Sequence, residues 1–500
     1  MKRKNNKSRA PATATRQAPR PNVRKPVVQG TRGFLAGEIN RLTNDIDLSF
    51  SVNQDIQAAL SVMRARSRSA ARNNPYARRY LDLLRSNIVG PDGVALSVQG
   101  MRQTQGGGEE IDPISSTIEK HFWNWSSPAT CTVQGRIDFA KVQELVIEQI
   151  ARDGEILIRF CRGPRFGKYN FALQILDADH LDENFNSTAT NGNRILQSVE
   201  VDEYGKPVAY WIWRNNPADT MILAQGNERI RVPAEDMLHI FDPEQASQVR
   251  GYPWMASALV ALSHIEKFKE SVLINARVAS DRQVYYQQDQ NADAYEDEID
   301  DMGYVELEAR PGEHSVLPRG WSVVQTDWAQ PTTTLDDFQK SILRSASAGL
   351  GISYNTFGAD LENVNYSSAR FGALEDQSNY RSIQRWFVNA FIKLVYEEFL
   401  RVQLLTNTWG LNIPVDRFEK FANVQYRTKT FGSVDPVKDI TADINALKAG
   451  ITSQSAVIEK HGGDPEAVFR QIAADKAKMD SLGITPAGLF ASPPAAPQTE

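Results

Sequence analysis

The chain has 500 residues, a formal net charge of −5, 41% apolar and 23% charged residues. That is enough chain for two to four structural units with a real core. No apolar run approaches the roughly eighteen residues that span a bilayer, and the basic N-terminus lacks the apolar stretch of a secretory signal.

Charge is unevenly spread. Residues 1–37 carry ten Lys/Arg and no acid, which leaves a body of net charge −15. This arm is rich in Pro, Ala, Thr and Asn and is expected to be disordered when free. It reads as a solubilising tail, a nucleic-acid contact or a dock on an acidic protein. Cys131 and Cys161 show no CxxC spacing and are expected as free thiols in a reducing compartment.

Residues 53–90 read as helical, with Asn74-Pro75 as an N-cap and first turn inside them. Val94–Gln99 alternates like a strand, and Ile114–Trp125 and Asp138–Asp153 carry helical periodicity. From 154 to 242 the pattern turns to strands: Glu155–Cys161, Asn170–Leu176, Ile195–Val201, Val208–Arg214, Arg229–Val232 and Met237–Phe241. Residues 35–252 are therefore expected to form one α/β domain.

No Gly or Pro occurs from Trp254 to Met302, and Leu259, Leu262, Ile265, Phe268, Val272 and Ala276 mark an amphipathic helix. An acidic zone follows, with two strand-like pieces, Val284–Gln287 and Ser322–Gln325. A second helix is expected from Thr334, which with Asp337 makes a capping-box-like start, and it stops at Gly349 and Gly351. A small mixed module thus hangs between two helices. A polar loop, 352–365, leads into a long helix opening near Asn365. If continuous to Leu404, that helix is about 60 Å long at 1.5 Å per residue. Short helices at Val437–Ala449, Ser453–His461 and Pro465–Leu482 end the ordered chain, and residues 485–500 read as a Pro/Ala-rich disordered tail.

Catalytic signatures are absent from the sequence. Gly167-Lys168 and Gly205-Lys206 lack the rest of a phosphate-binding GxxxxGK[ST] loop, and no GxSxG or HExxH occurs. The six histidines are scattered. The acidic run Asp293, Glu296, Asp297, Glu298, Asp300, Asp301 would point around a helix rather than converge on a metal. No cofactor, metal or catalytic residue is expected.

Several blocks, in order, resemble the lambda-type portal proteins of tailed bacteriophages. They are Arg72–Arg79 with Asn87–Gly90, Arg136–Phe139, Arg152–Glu155, Leu176–Asp182, Asp202–Trp211, His239–Glu244, Gln248–Trp254, Gly349–Tyr354 and Asn365–Arg370. The resemblance implies an α+β portal fold. A basic arm (1–34) precedes a mixed α/β wing (35–252). Two stem helices (253–282 and 331–350) carry a small clip (283–330). A tunnel loop (351–365) and a long tunnel helix (366–406) follow, then the remaining wing and a helical crown (407–484), and a tail (485–500).

It further implies a non-catalytic dodecameric ring at one capsid vertex, in the virion and, during assembly, in the host cytoplasm. The ring would be the channel for double-stranded DNA in packaging and ejection. It would dock the large terminase subunit and then a head-tail adaptor or head-completion protein, and would contact the major capsid protein and any scaffold, with no membrane partner. Asn355, Asp360, Glu362, Asn363 and Asn365 are the expected channel residues. A loop with acids and no Lys or Arg would avoid gripping phosphates through counterion release. Lys267, Lys269, Lys340 and Arg344 would face the channel or pair between subunits, and the acidic run 293–301 would bind partner proteins.

Overall fold

The computed structural model describes residues 51–103, 109–217, 228–280, 285–288, 321–324, 332–362, 364–410, 412–432 and 436–482. The N-terminal arm, the acidic run 293–301 and the C-terminal tail lie outside the described residues.

Helix Val52–Asn73 buries Ile56, Leu60, Arg64, Ser67 and Ala71, one stripe at three- and four-residue steps. It ends at Asn74, whose side chain accepts the Tyr76 and Ala77 N–H groups at 2.9 and 3.0 Å and so opens helix Pro75–Leu84. A π turn, Arg85–Val89, continues that helix and stops at Gly90, whose φ of +78° suits glycine. Helices Pro113–Trp125 and Phe139–Asp153 are capped by the Asp112 and Asp138 carboxylates.

Strands Met237–Ile240, Ile156–Arg162 and Phe171–Leu176 form an antiparallel sheet in that spatial order. Strand alternation gives this sheet two apolar faces. Ile156, Ile158, Phe171 and Leu173 meet the helices in the main core, whereas Leu157, Leu176 and Met237 meet a second cluster with Val199, Tyr210 and Val232. That second cluster belongs to a five-stranded antiparallel meander running from Arg229–Pro233 to Ser187–Thr188.

Here the structure departs from the expected single strand over 195–201. Gln197 and Ser198 both take positive φ, 48° and 73°, and make a two-residue hairpin turn between Arg194–Leu196 and Val199–Val201. Neither is glycine, so tertiary bonds hold the turn. The Gln197 N–H donates to Asn186, its amide to the Asn53 carbonyl, and the Ser198 hydroxyl to the Asp182 carbonyl.

Helix Ala256–Ser280 lies antiparallel to helix Thr332–Leu350. The Ser257 hydroxyl bonds the Gly349 carbonyl at one end, and the Phe268 and Phe338 rings meet 4.5 Å apart further along. The second helix thus opens two residues before the expected Thr334. Strands Tyr285–Gln288 and Trp321–Val324 pair antiparallel.

The long helix runs Tyr366–Phe387, a π turn Val388–Ile392, then Lys393–Thr406. Its later half is core: Phe387, Phe391, Val395, Tyr396, Phe399 and Leu400 are buried. Strand Val424–Arg427 returns to pair with Ala95–Val98, so the main core continues well beyond residue 252. Three helices follow, Pro436–Lys448, Gln454–Lys460 and Pro465–Ser481. The Asp443 carboxylate ties the first to Lys460 and His461 at 2.5 and 2.9 Å.

Candidate functional site

The segment expected as a plain polar loop contains a short helix, Tyr354–Gly358. Its anchor is Asp376, twenty-odd positions away on the long helix and 5% exposed. The Ser353 N–H donates to Asp376 Oδ1 at 2.7 Å, and the Ser353 and Thr356 hydroxyls donate to Oδ2, each at 2.7 Å. Arg79 Nε donates to the Thr356 carbonyl at 2.8 Å, and Phe357 is fully buried against the Tyr76 ring. Residues 353–358 are therefore fixed to two helices at once.

The chain then turns at Ala359, in the left-handed region at φ 53°. Asp360 closes the turn: Oδ2 accepts the Tyr354 hydroxyl at 2.7 Å and Oδ1 the Glu362 N–H at 2.9 Å. These two bonds, the phenol first, hold the Asp360 carboxyl below the usual aspartate range. Burial and the same bond push the Tyr354 phenol up to about 12. The Asn365 side chain accepts the Ser368 N–H at 2.8 Å and caps the long helix.

Of the expected channel residues, Glu362 and Asn365 are exposed, Asp360 is half-buried with both oxygens engaged, and Asn355 sits within the short helix. Asn363 lies outside the described residues. Asp376 carries no signal in the sequence pattern, and Arg79 and Tyr354 enter it only as the last residues of two resemblance blocks.

The four basic residues of the paired helices behave differently from one another. Lys340 bonds Asp336 one turn back at 2.6 Å and reaches Glu362 at 3.5 Å, which ties that helix to the loop. Arg344 sits over the Tyr354 ring at 5.2 Å, and Lys269 over the Tyr76 ring at 5.0 Å. Lys267 is exposed. Lys340, Arg344, Tyr354, Asp360 and Glu362 border one recess of about 320 Å³.

A second constellation lies deep in the sheet region. Glu155 is fully buried and accepts Arg64 at 2.6 Å, Arg250 at 2.5 and 2.8 Å, and the Gly251 N–H at 2.8 Å. His239 Nε2 lies 2.9 Å from Oε2, the oxygen that also accepts the Gly251 N–H. Burial alone would raise this carboxyl, but Arg250, Arg64 and His239 outweigh it and hold it well below the ordinary glutamate range. Beside it, Asp153 takes Arg68 and Arg152 at 2.8 and 2.9 Å. A Cβ at Gly154, where φ is +91°, would overlap the Tyr252 backbone, and one at Gly251 would overlap the Gly154 carbonyl. Three of the blocks that carry the family resemblance, 152–155, 239–244 and 248–254, thus converge on one buried ion network.

Both cysteines are free and buried, and burial raises both thiols. Among the described residues no group of His, Cys, Asp or Glu could hold a metal, and no helix is long and apolar enough to cross a membrane.

The sequence model of the family described as phage portal protein, lambda family, matches residues 40–384. The probable portal protein of Halomonas phage phiHAP-1 is 32% identical over 427 residues, which cover 84% of this chain and 81% of that one. Portal protein B of Escherichia phage lambda is 20% identical over 466 residues, covering 84% of each chain. Among solved structures, a chain from the neck of an empty gene transfer agent particle aligns with 85% of this chain and 94% of its own, at 15% identity and a TM-score of 0.41. An HK97 family phage portal protein from Corynebacterium diphtheriae aligns with 61% of this chain and 82% of its own, at 10% identity and a TM-score of 0.31. With a match across most of its length and a relative above 30% identity, this chain belongs to the lambda family of phage portal proteins.

Proposed function

We propose that the chain assembles into a dodecameric ring at one capsid vertex and forms the channel through which double-stranded DNA is packaged and ejected. The observation that supports this reading best is the loop between the Thr332–Leu350 helix and the long helix. Its first half is fixed by Asp376 and Arg79, while its second half presents Glu362 and Asn365 to solvent. Residues 352–365 contain no Lys or Arg. A channel must let DNA slide in every sequence register, and cations at phosphates would hold it through counterion release. Asn355, Asp360, Glu362, Asn363 and Asn365 are the proposed DNA-facing set, with Glu362 and Asn365 its most accessible described members.

In this reading Lys340 and Arg344 brace the loop from inside the subunit, and Lys267 and Lys269 are left for the channel wall or a neighbouring subunit. The acidic residues Asp293, Glu296, Asp297, Glu298, Asp300 and Asp301 form the surface for the large terminase subunit and then the head-tail adaptor, whose complementary faces would be basic. The remaining contacts are with the major capsid protein and scaffold. The role is mechanical, without catalysis or a cofactor.

Native mass spectrometry of the purified chain, with electron-microscopy class averages of the same sample, tests the assembly. A ring of about a dozen subunits with a lumen wide enough for duplex DNA is expected. A well-ordered dimer with a closed cleft would overturn it.

A further inference from the structure

The five-stranded meander covers only one end of the three-stranded sheet's outer face. Leu157, Leu176 and Met237 lie beneath it. Further along that face the register sets Arg159 opposite Gln174 and Cys161 opposite Ala172. These four residues floor an open cleft of about 630 Å³. One rim is the turn Pro164–Phe166, set between Gly163 and Gly167 at φ 116° and 85°. The other is the segment 129–133.

Three arginines border the cleft. Arg162 is already committed: it bonds Asp236, Glu398 at 2.6 Å and the Glu235 carbonyl at 3.0 Å. Among the described residues that border the cleft Asp236 is the one acid, and its Oδ1 accepts Arg162. Arg165 lies over the Phe166 ring at 4.6 Å. Arg159 is half-buried on the floor. Among the described residues, neither Arg159 nor Arg165 meets a carboxylate. The cleft therefore holds two arginines with no carboxylate partner, on a body of net charge −15.

The chemistry favours a peptide over a nucleic acid: the rings that could stack a base, Phe166 and Phe160, already carry Arg165 and Arg162 at 4.6 and 5.8 Å. Val133, 46% exposed, adds an apolar wall against which an extended chain can lie. We propose that this cleft docks an extended acidic segment of another protein, whose carboxylates are taken by Arg159 and Arg165 as charge-assisted, forked hydrogen bonds. The proposal stands apart from the channel reading, because it uses neither the loop nor the ring.

Photo-cross-linking of the full chain with a glutamate-rich peptide carrying a benzoylphenylalanine, mapped by mass spectrometry, tests it. Cross-links are expected within 129–133 and 160–174. Their yield should fall about tenfold or more in the Arg159→Gln/Arg165→Gln variant, the loss of two charged hydrogen bonds. It should hold in an Arg66→Gln/Arg72→Gln control of equal charge. Gln174→Glu, which adds a carboxylate to the floor, should lower the yield by itself and serves if the arginine variant misfolds. Cross-links confined to the basic arm, equal loss in both arginine pairs, or an unchanged yield in Gln174→Glu would each overturn the assignment. A single-stranded oligonucleotide that competes at lower concentration than the peptide would reassign the cleft to nucleic acid.

Discussion

Glu155 and Asp376 are both buried carboxylates with several donors, yet they organise their surroundings on different scales. Glu155 faces two guanidiniums and an imidazole drawn from three distant segments, and every partner is itself buried. Removing its charge would strand two cations in a dry interior. Asp376 receives only neutral donors, two hydroxyls and one N–H, from a single short helix. Its loss would release a local segment and leave the core in place. Charge pairing thus ties separate segments of the sheet region together, while neutral hydrogen bonds set the position of the loop. Glu362 lies at the far end of this scale, exposed, where its 3.5 Å ion pair with Lys340 contributes little.

Glu155→Gln tests the first half of this contrast and should have the largest effect. A loss of about 3–5 kcal/mol is expected at neutral pH from thermal or urea unfolding. The sign with pH follows from the depressed carboxyl: its contribution is full above the unfolded glutamate value of about 4.3 and fades as pH falls through the lower folded value. The gap between parent and variant should therefore close in acid; a constant gap would count against the network. Gly154→Ala comes next, with a loss of about 3 kcal/mol, because a Cβ overlaps the Tyr252 backbone at a strained φ. A soluble variant with the parent's melting temperature would refute that contact.

Asp376→Ala should cost about 1–2 kcal/mol, confined to residues 353–358 and visible as faster amide hydrogen exchange there. If protection falls equally across the sheets, the local reading is wrong. The smallest effect on overall stability belongs to Asp360→Lys with Glu362→Lys, which removes the acceptor of the Tyr354 hydroxyl and the Glu362 N–H, loosens that turn and leaves the core in place. That pair should nevertheless impair DNA passage, and normal packaging and ejection by it would count heavily against the channel assignment.

Much of the fold was legible from pattern. Helices such as 139–153 and strands such as 156–162 and 171–176 carry a clean period, and their ends fall within a residue or two of expectation. The turn at Gln197-Ser198 was not legible, since it lacks the Gly or Asn that usually marks positive φ and is held by Asn53, Asp182 and Asn186. The short helix within the loop was hidden for a similar reason. Its stabilising group, Asp376, sits between Glu375 and Gln377 on a polar stretch that reads as a solvated face. The buried network was visible only as blocks of family resemblance. Nothing in the spacing of Arg64, Glu155, His239 and Arg250 states that they meet, because tertiary convergence leaves no period in the chain.

The pairing of Ala95–Val98 with Val424–Arg427 has a consequence for the order of events in the cell. Strand 95–98 emerges from the ribosome long before its partner, about three hundred residues later. Until then it presents an open edge, able to template pairing with another nascent chain. The main core, which includes Phe391, Phe399 and Phe421, also stays incomplete for that whole interval. This core can therefore close only once residue 427 has emerged, when the paired helices and the loop are already made. If the chain assembles into the proposed ring, closure of that last strand would come before one subunit meets the next.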